Sequence, residues 1–222
     1  TFPTLIATGA SALTANVTAT VGVVPSSLGI IRGFRVQLRG HRAIIRSLVP
    51  YCLVGTASGC TLLLLGSPKL FQLVVPWLIG AGTLLFAFAP LITKRLAHVD
   101  HAHPGRRWTL NVGIFLVAMY GGYFGAGMGI LLLAVMAVSL PFEIADLQGL
   151  RSVLSLIINL LAALIFVARG HLILDAVYMF LVGTLVGGWL GAILIMRLSP
   201  NVVRVLIIAV GVVTTVRLAI TA

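Results

Sequence analysis

Long apolar runs, separated by short polar or basic connections, set the pattern of this chain. They fall at about residues 5–31, 48–65, 70–92, 110–138, 148–167, 176–196 and 202–220. Each approaches or exceeds the ~20 residues a helix needs to cross the roughly 30 Å hydrocarbon core of a bilayer. The pattern predicts an all-α, polytopic transmembrane helical bundle with about seven spans. Pro25 in the first run and Pro3 before it are expected to shape a kink or a helix end.

The fourth run differs from the rest. Leu110 to Val138 is 29 residues without a charge, and Gly121, Gly122, Gly125, Gly127 and Gly129 fall within nine positions. As one straight helix it would extend about 43 Å, and each interior glycine costs about 0.5–1 kcal/mol relative to alanine. The expected outcome is a helix broken or bent inside the membrane. Amides released there must face protein or a watery hollow, and clustered amides favour anions. Gly122, Gly125, Gly127 and Gly129 are therefore candidate substrate-binding positions. The same letters form a ridge of small residues, Gly121-x3-Gly125-x3-Gly129, which suits close helix packing, and the two readings are compatible. Gly55 with Gly59, and Gly183 with Gly187 and Gly191, read as packing ridges.

Composition narrows the class. Sixty per cent of residues are hydrophobic and 9% charged, with a mean hydropathy of +1.17, as in a polytopic membrane protein. The net charge of +11 does not point to nucleic acid, because the cations sit in short loops between spans, where they orient the chain. One loop holds Arg32, Arg35, Arg39, Arg42 and Arg46, and another Lys94, Arg95, Arg106 and Arg107. The positive-inside rule makes these loops and the C-terminus cytoplasmic. If the glycine-rich run crosses, the loop carrying Glu143 and Asp146 is then outside. Arg197 and Arg204 are exceptions to that arrangement.

An internal repeat is legible. Leu53-Val54-Gly55-Thr56 followed by Gly59 recurs as Leu181-Val182-Gly183-Thr184 followed by Gly187. Ser67-Pro68 answers Ser199-Pro200, and Arg32-Gly33 answers Arg169-Gly170, at offsets of 128, 132 and 137 residues. The expected organisation is a first half over 1–97, a cytoplasmic loop over 98–109 and a second half over 110–222. The same offset places a partner of the glycine run before Thr1, so the first helix of the first half is expected to be missing from two related four-helix halves. The chain opens without Met and shows no signal peptide. If every span crosses, the halves are parallel; a re-entrant break would change that.

Donors outnumber acids in the spans. The acidic residues are Asp100, Glu143, Asp146 and Asp175, none at the centre of a span, whereas cation- and proton-coupled carriers usually bury a carboxylate. Asn16, Thr18, Thr20 and Asn159 offer hydrogen bonds, and Arg151 lies in the first turns of the fifth run. Asn16, Thr18, Arg151 and Asn159 join the glycines as candidate substrate contacts. Each has a plainer reading: interhelical bonding for the asparagines, a bond to their own helix for the threonines, interfacial snorkelling for Arg151. An anion leaving a negative interior gains about 2.3 kcal/mol per 100 mV, so export needs no further coupling.

Rival chemistries find little support. His98, His101 and His103 around Asp100 suit an irregular loop better than a metal site. His41 and His171 also lie in or beside loops, so no base is evident for Ser58 or any other nucleophile. Cys52 and Cys60, about 12 Å apart along a helix, cannot pair within it and read as small buried residues. Trp77, Trp108 and Trp189 need no function, and Trp108 suits an interfacial belt.

GGYFGAGMGILLLAVMAV and LQGLRSVLSLIINLLAALIFVARG resemble the second half of the TauE/SafE family of sulfite exporters. FPTLIATG, TANVTATVGVVPSSLGIIRGFRVQLRG and VVPWLIGAGTLLFA resemble its first half, although its first glycine-rich segment is absent and the second reads GAGMG where many members carry a third consecutive glycine. The resemblance implies a bacterial inner-membrane carrier of sulfite, sulfonates or related small anions, without a cofactor. The expected partners are the lipid bilayer and that small anion, with no nucleic acid; association into a homo-oligomer stays open. A passive anion channel, or a membrane-embedded accessory subunit, is the alternative.

Overall fold

The computed structural model describes residues 12–33, 38, 40–96, 106–169, 205 and 208–216, and every regular element among them is helical. They are α1 (Ala12–Gly33), α2 (Arg42–Leu65), α3 (Pro68–Leu96), α4 (Arg106–Tyr123), α5 (Met128–Ser139) and α6 (Ile144–Ala168), followed by a helical stretch over 208–216. The His98–His103 loop, the sixth apolar run, Trp189 and the second copy of the repeated letters lie outside the described residues. Arg42–Leu65, Lys69–Leu91 and Ile144–Ala168 are each long and apolar enough to cross a membrane. Their outward side chains, among them Leu62, Trp77, Leu84, Phe88 and Leu164, are exposed apolar groups of the kind lipid covers. Exposed Trp108 lies near the start of α4, as an interfacial aromatic would.

Local chemistry sets several boundaries. The Ser67 hydroxyl accepts the Leu70 N–H at 3.2 Å and caps α3. Pro68 then occupies the first helical position, where no N–H is required. At the end of α5, Leu140 is extended (φ −122°, ψ 132°), the conformation favoured before a proline such as Pro141.

Glycine contacts fix the packing of α2 on α4. The Asn111 side-chain amide donates to the Tyr51 hydroxyl at 3.1 Å. Further along, Gly55 meets Phe115 and Ala118, and Gly59 meets Met119. Numbers rise together on both helices, so the two run parallel. A Cβ on Gly55, Gly59 or Gly122 would overlap a backbone carbonyl of the facing helix: Phe115, Met119 and Thr56 respectively. These three glycines serve close approach. Cys52 and Cys60 are buried and unpaired in the same helix, and the Cys60 thiol donates to the Gly122 carbonyl at 3.4 Å.

Because α2 and α4 start side by side, Arg42, Arg46 and Arg107 mark one basic end of the bundle. From there α4 rises, the chain reverses, and α5 returns: Gly113 packs on Val135, and Gly121 on Met128. The segment after α5 arrives back at the basic end. There His41 Nε2 lies 3.8 Å from Asp146 Oδ2, and the His41 and Phe142 rings are 4.5 Å apart, edge to face. The glycine-rich run is thus a helical hairpin. Of the two outcomes the sequence left open, a crossing and a re-entrant reversal, the structure has the reversal, and Glu143 and Asp146 lie at the basic end rather than opposite the basic loops as a crossing would place them. The length of an apolar run cannot tell a crossing from a reversal.

The other directions follow. α6 rises beside α2, with Ala162 and Phe166 in one cluster with Cys60 and Leu63. Val17 of α1 and Phe71 of α3 join that cluster at the far end, so both helices descend from it. In the stretch 208–216, Gly211 faces Thr83 and Gly80 faces Thr215, antiparallel to α3. It therefore heads away from the basic end, opposite to the heading expected for the last span. The uncounted reversal at the hairpin is the physical reason.

Two outcomes test this arrangement. Gly59→Ala must push apart two backbones, an overpacking cost of about 1–3 kcal/mol; the thermal midpoint in detergent should fall, and an unchanged midpoint would contradict the contact. Single cysteines replacing Glu143 and Arg107, in a chain with Cys52 and Cys60 removed, should react with a membrane-impermeant thiol reagent from the same side. A cysteine replacing Lys69 should react from the other. Glu143 labelling together with Lys69 would mean the glycine-rich run crosses after all.

Candidate functional site

The reversal is made by four residues, 124–127, between α4 and α5. Gly125 and Gly127 have left-handed φ values of +80° and +74°, and no other described residue has positive φ. Gly121 and Gly122 stay helical in α4, and Gly129 in α5. Of five clustered glycines, two make the turn and three permit approach. Alternating φ signs at 125, 126 and 127 resemble the backbone of an anion-binding nest.

Hydrogen bonding at the tip is lopsided. On the α4 side three carbonyls are taken. Tyr120 O accepts from the Phe124 and Gly125 amides at 2.8 and 3.1 Å, Gly122 O from Cys60, and Tyr123 O from Asn16 Nδ2 at 3.1 Å. The Tyr120 hydroxyl donates to the Ala126 carbonyl. On the α5 side, Gly125 O accepts from Met128 at 3.2 Å, and Gly127 O from Ile130 and Leu131 at 2.9 and 3.3 Å. The amides of Ala126, Gly127 and Gly129 find no acceptor among the described residues. Most acceptors are consumed, Gly121 O being without a bond among the described residues, and three donors remain at the positive end of α5.

A cavity of about 290 Å³ opens beside this tip, between α1, α6 and the reversal. Water takes roughly 30 Å³ apiece, which leaves room for a small oxyanion with some of its hydration. Asn16, Thr20, Gly125 and Asn159 line it, together with Ala19, Val23, Gly121, Phe124, Ala126 and Met128. Asn16 is 4% exposed. The Asn159 side chain makes no hydrogen bond among the described residues and borders the same cavity.

Of the eight candidates, the cavity collects Asn16, Gly125 and Asn159. Gly122 is spent on α2. Gly127 abuts α3, where an added Cβ would stand 3.6 Å from the Gly82 Cα. Gly129 carries the Arg151 side chain, whose Nη1 would lie 3.3 Å from a Cβ there. Arg151 is partly buried, without a carboxylate partner among the described residues. Thr18 is buried on another face of α1 with no partner for its hydroxyl among the described residues, whereas Thr20 bonds to the Asn16 carbonyl at 2.9 Å. Tyr120, Phe124, Ala126 and Met128 were not singled out from sequence. A tyrosine inside an apolar run was the available signal, since a buried hydroxyl needs a partner.

Helices sized to a bilayer, a broken one turning back within the bundle and a polar hollow at the break define a multi-pass membrane transporter with a small-molecule substrate. The chain belongs to the family described as sulfite exporter TauE/SafE, whose model matches residues 1–218. It is similar to a probable membrane transporter protein of Haemophilus influenzae, at 26% identity over 98% of this chain and 84% of that one. No solved structure matches the chain.

Tyr120 holds the tip in register. A peptide plane sets C=O and N–H in opposite directions, so the bond to the Ala126 carbonyl also aims the Gly127 amide. Tyr120→Phe removes about 1 kcal/mol of net bonding. Hydrogen exchange across 124–128 should quicken by roughly fivefold on that basis, while α2 is unaffected. Unchanged exchange at the tip would show that the hydroxyl does not hold it.

Proposed function

We propose that the protein exports a small anion of the sulfite or short organosulfonate class across a bacterial inner membrane, with the cavity at the hairpin tip as its binding site. The observation that carries this reading is the imbalance at the tip, where six carbonyls between Tyr120 and Gly127 are bonded and the amides of Ala126, Gly127 and Gly129 are not. Preorganised neutral donors hold an oxyanion without a strong fixed charge, which favours release. Arg151 beside Gly129 adds one cation near the start of α5, and a bound anion would relieve their mutual repulsion. Family membership agrees with the substrate class. No catalytic step and no cofactor form part of the proposal.

The two-halves organisation, 1–97 and 110–222, belongs to the same reading. By the repeat offsets α1 corresponds to α6, and α3 to the run containing 208–216. Both pairs run in opposite directions, which supports inverted rather than parallel halves. The cavity between α1 and α6 then lies where the halves meet, the usual place of a carrier site. With the basic loops cytoplasmic, the stretch 208–216 heads outward.

Flux from proteoliposomes tests the function. Sulfite or methanesulfonate loaded inside should leave faster when the receiving side is positive, and Asn159→Leu should slow this at least tenfold without lowering the amount of folded protein. Wild-type flux from Asn159→Leu would remove the cavity from the path. Absence of saturation or counterflow would favour the passive channel.

A further inference from the structure

We propose that the tip cavity selects singly charged anions and rejects dianions, an inference that rests on reading the cavity as the transport site. None of its described lining residues is charged. Its donors are neutral: the Asn159 side chain, the Ala126 amide and what remains of Asn16. The cost of stripping water from an ion rises with the square of its charge, so a dianion costs about four times as much as a monoanion in the same hollow. Neutral dipoles gain only in proportion to the charge, and one partly buried guanidinium, Arg151, stands outside the lining against Gly129. That set balances one negative charge.

Asn16 sharpens the selection. Its Nδ2 is held by the Tyr123 carbonyl, which leaves Oδ1 as an acceptor without a partner among the described residues. That acceptor repels a dianion more strongly than a monoanion, and it can accept the O–H of hydrogen sulfite. Val23, Phe124 and Met128 make the rest of the wall apolar, suited to a methyl or short alkyl group. The class is therefore hydrogen sulfite and short sulfonates, with sulfite dianion and sulfate excluded.

Calorimetry on the full chain in lipid nanodiscs tests this with three probes: sulfite, methanesulfonate and sulfate. Sulfite changes from monoanion to dianion near neutral pH, while methanesulfonate keeps one charge throughout. The titratable side chains of these elements that lie nearest the tip are Tyr120, Tyr123, Cys60 and Arg151, with Lys69 at the same end of the bundle, and methanesulfonate reports any change in them. One unit above the sulfite ionisation, sulfite should bind about tenfold more weakly than one unit below it; methanesulfonate should change by less than about twofold, and sulfate should bind least. Equal or tighter sulfite binding on the alkaline side, or sulfate binding as well as methanesulfonate, would overturn the charge selection and leave the anion site standing. No binding by any probe would remove both.

Discussion

Inside a bilayer a peptide group must be bonded by protein, because lipid offers it nothing. The reversal between α4 and α5 meets that constraint unevenly, and the rest of the described bundle is arranged around the result. Carbonyls at the end of α4 are covered by a thiol, a side-chain amide and local main-chain N–H groups, and the Ala126 carbonyl beyond it by a phenol. Just before α5 the Ala126 amide is left unbonded beside a hollow, and the Gly127 and Gly129 amides are unbonded next to it. A break satisfied on both sides would be inert, and one open on both sides would bind cations and anions alike. In the proposed function it is this covering of acceptors that gives the tip its preference for anions.

Holding such a turn requires rigid neighbours. α2 and α4 approach through Gly55, Gly59 and Gly122, where no Cβ fits, so the rising arm of the hairpin is fixed against a full-length span. α3 touches the turn itself through Gly82 against Ala126, and α1 reaches it through Asn16. The core is accordingly split. One cluster around Leu48, Ile114, Met136 and Leu150 secures the base of the hairpin. The other, around Cys60, Phe71, Phe124 and Phe166, surrounds the tip.

Much of this was legible in the sequence, for identifiable reasons. Clustered glycines in an uncharged run announce a broken helix because their helical cost is local and additive. Asn16 and Asn159 stand out because an amide inside an apolar span needs a partner. The choice between Thr18 and Thr20 lay in helical phase, since positions 16, 20 and 23 share a face that 18 does not. The hairpin was hidden. A bend and a reversal use the same glycines, and what decides between them is tertiary: Gly113 against Val135, and His41 against Phe142 and Asp146. Tyr120 was hidden as well, because its role depends on a carbonyl six positions on, which only the turn brings within reach.

The reversal also governs how the chain is read during insertion. α4 and α5 hold 18 and 12 residues, and joined end to end they would form a rod of about 45 Å, long enough to traverse a membrane. Two left-handed glycines keep that rod folded back on itself. Replacing both with residues that avoid positive φ would favour the unbroken rod, and α6 would then start from the opposite end of the bundle. The heading of α6 relative to α2 is thus tied to backbone torsion at two positions.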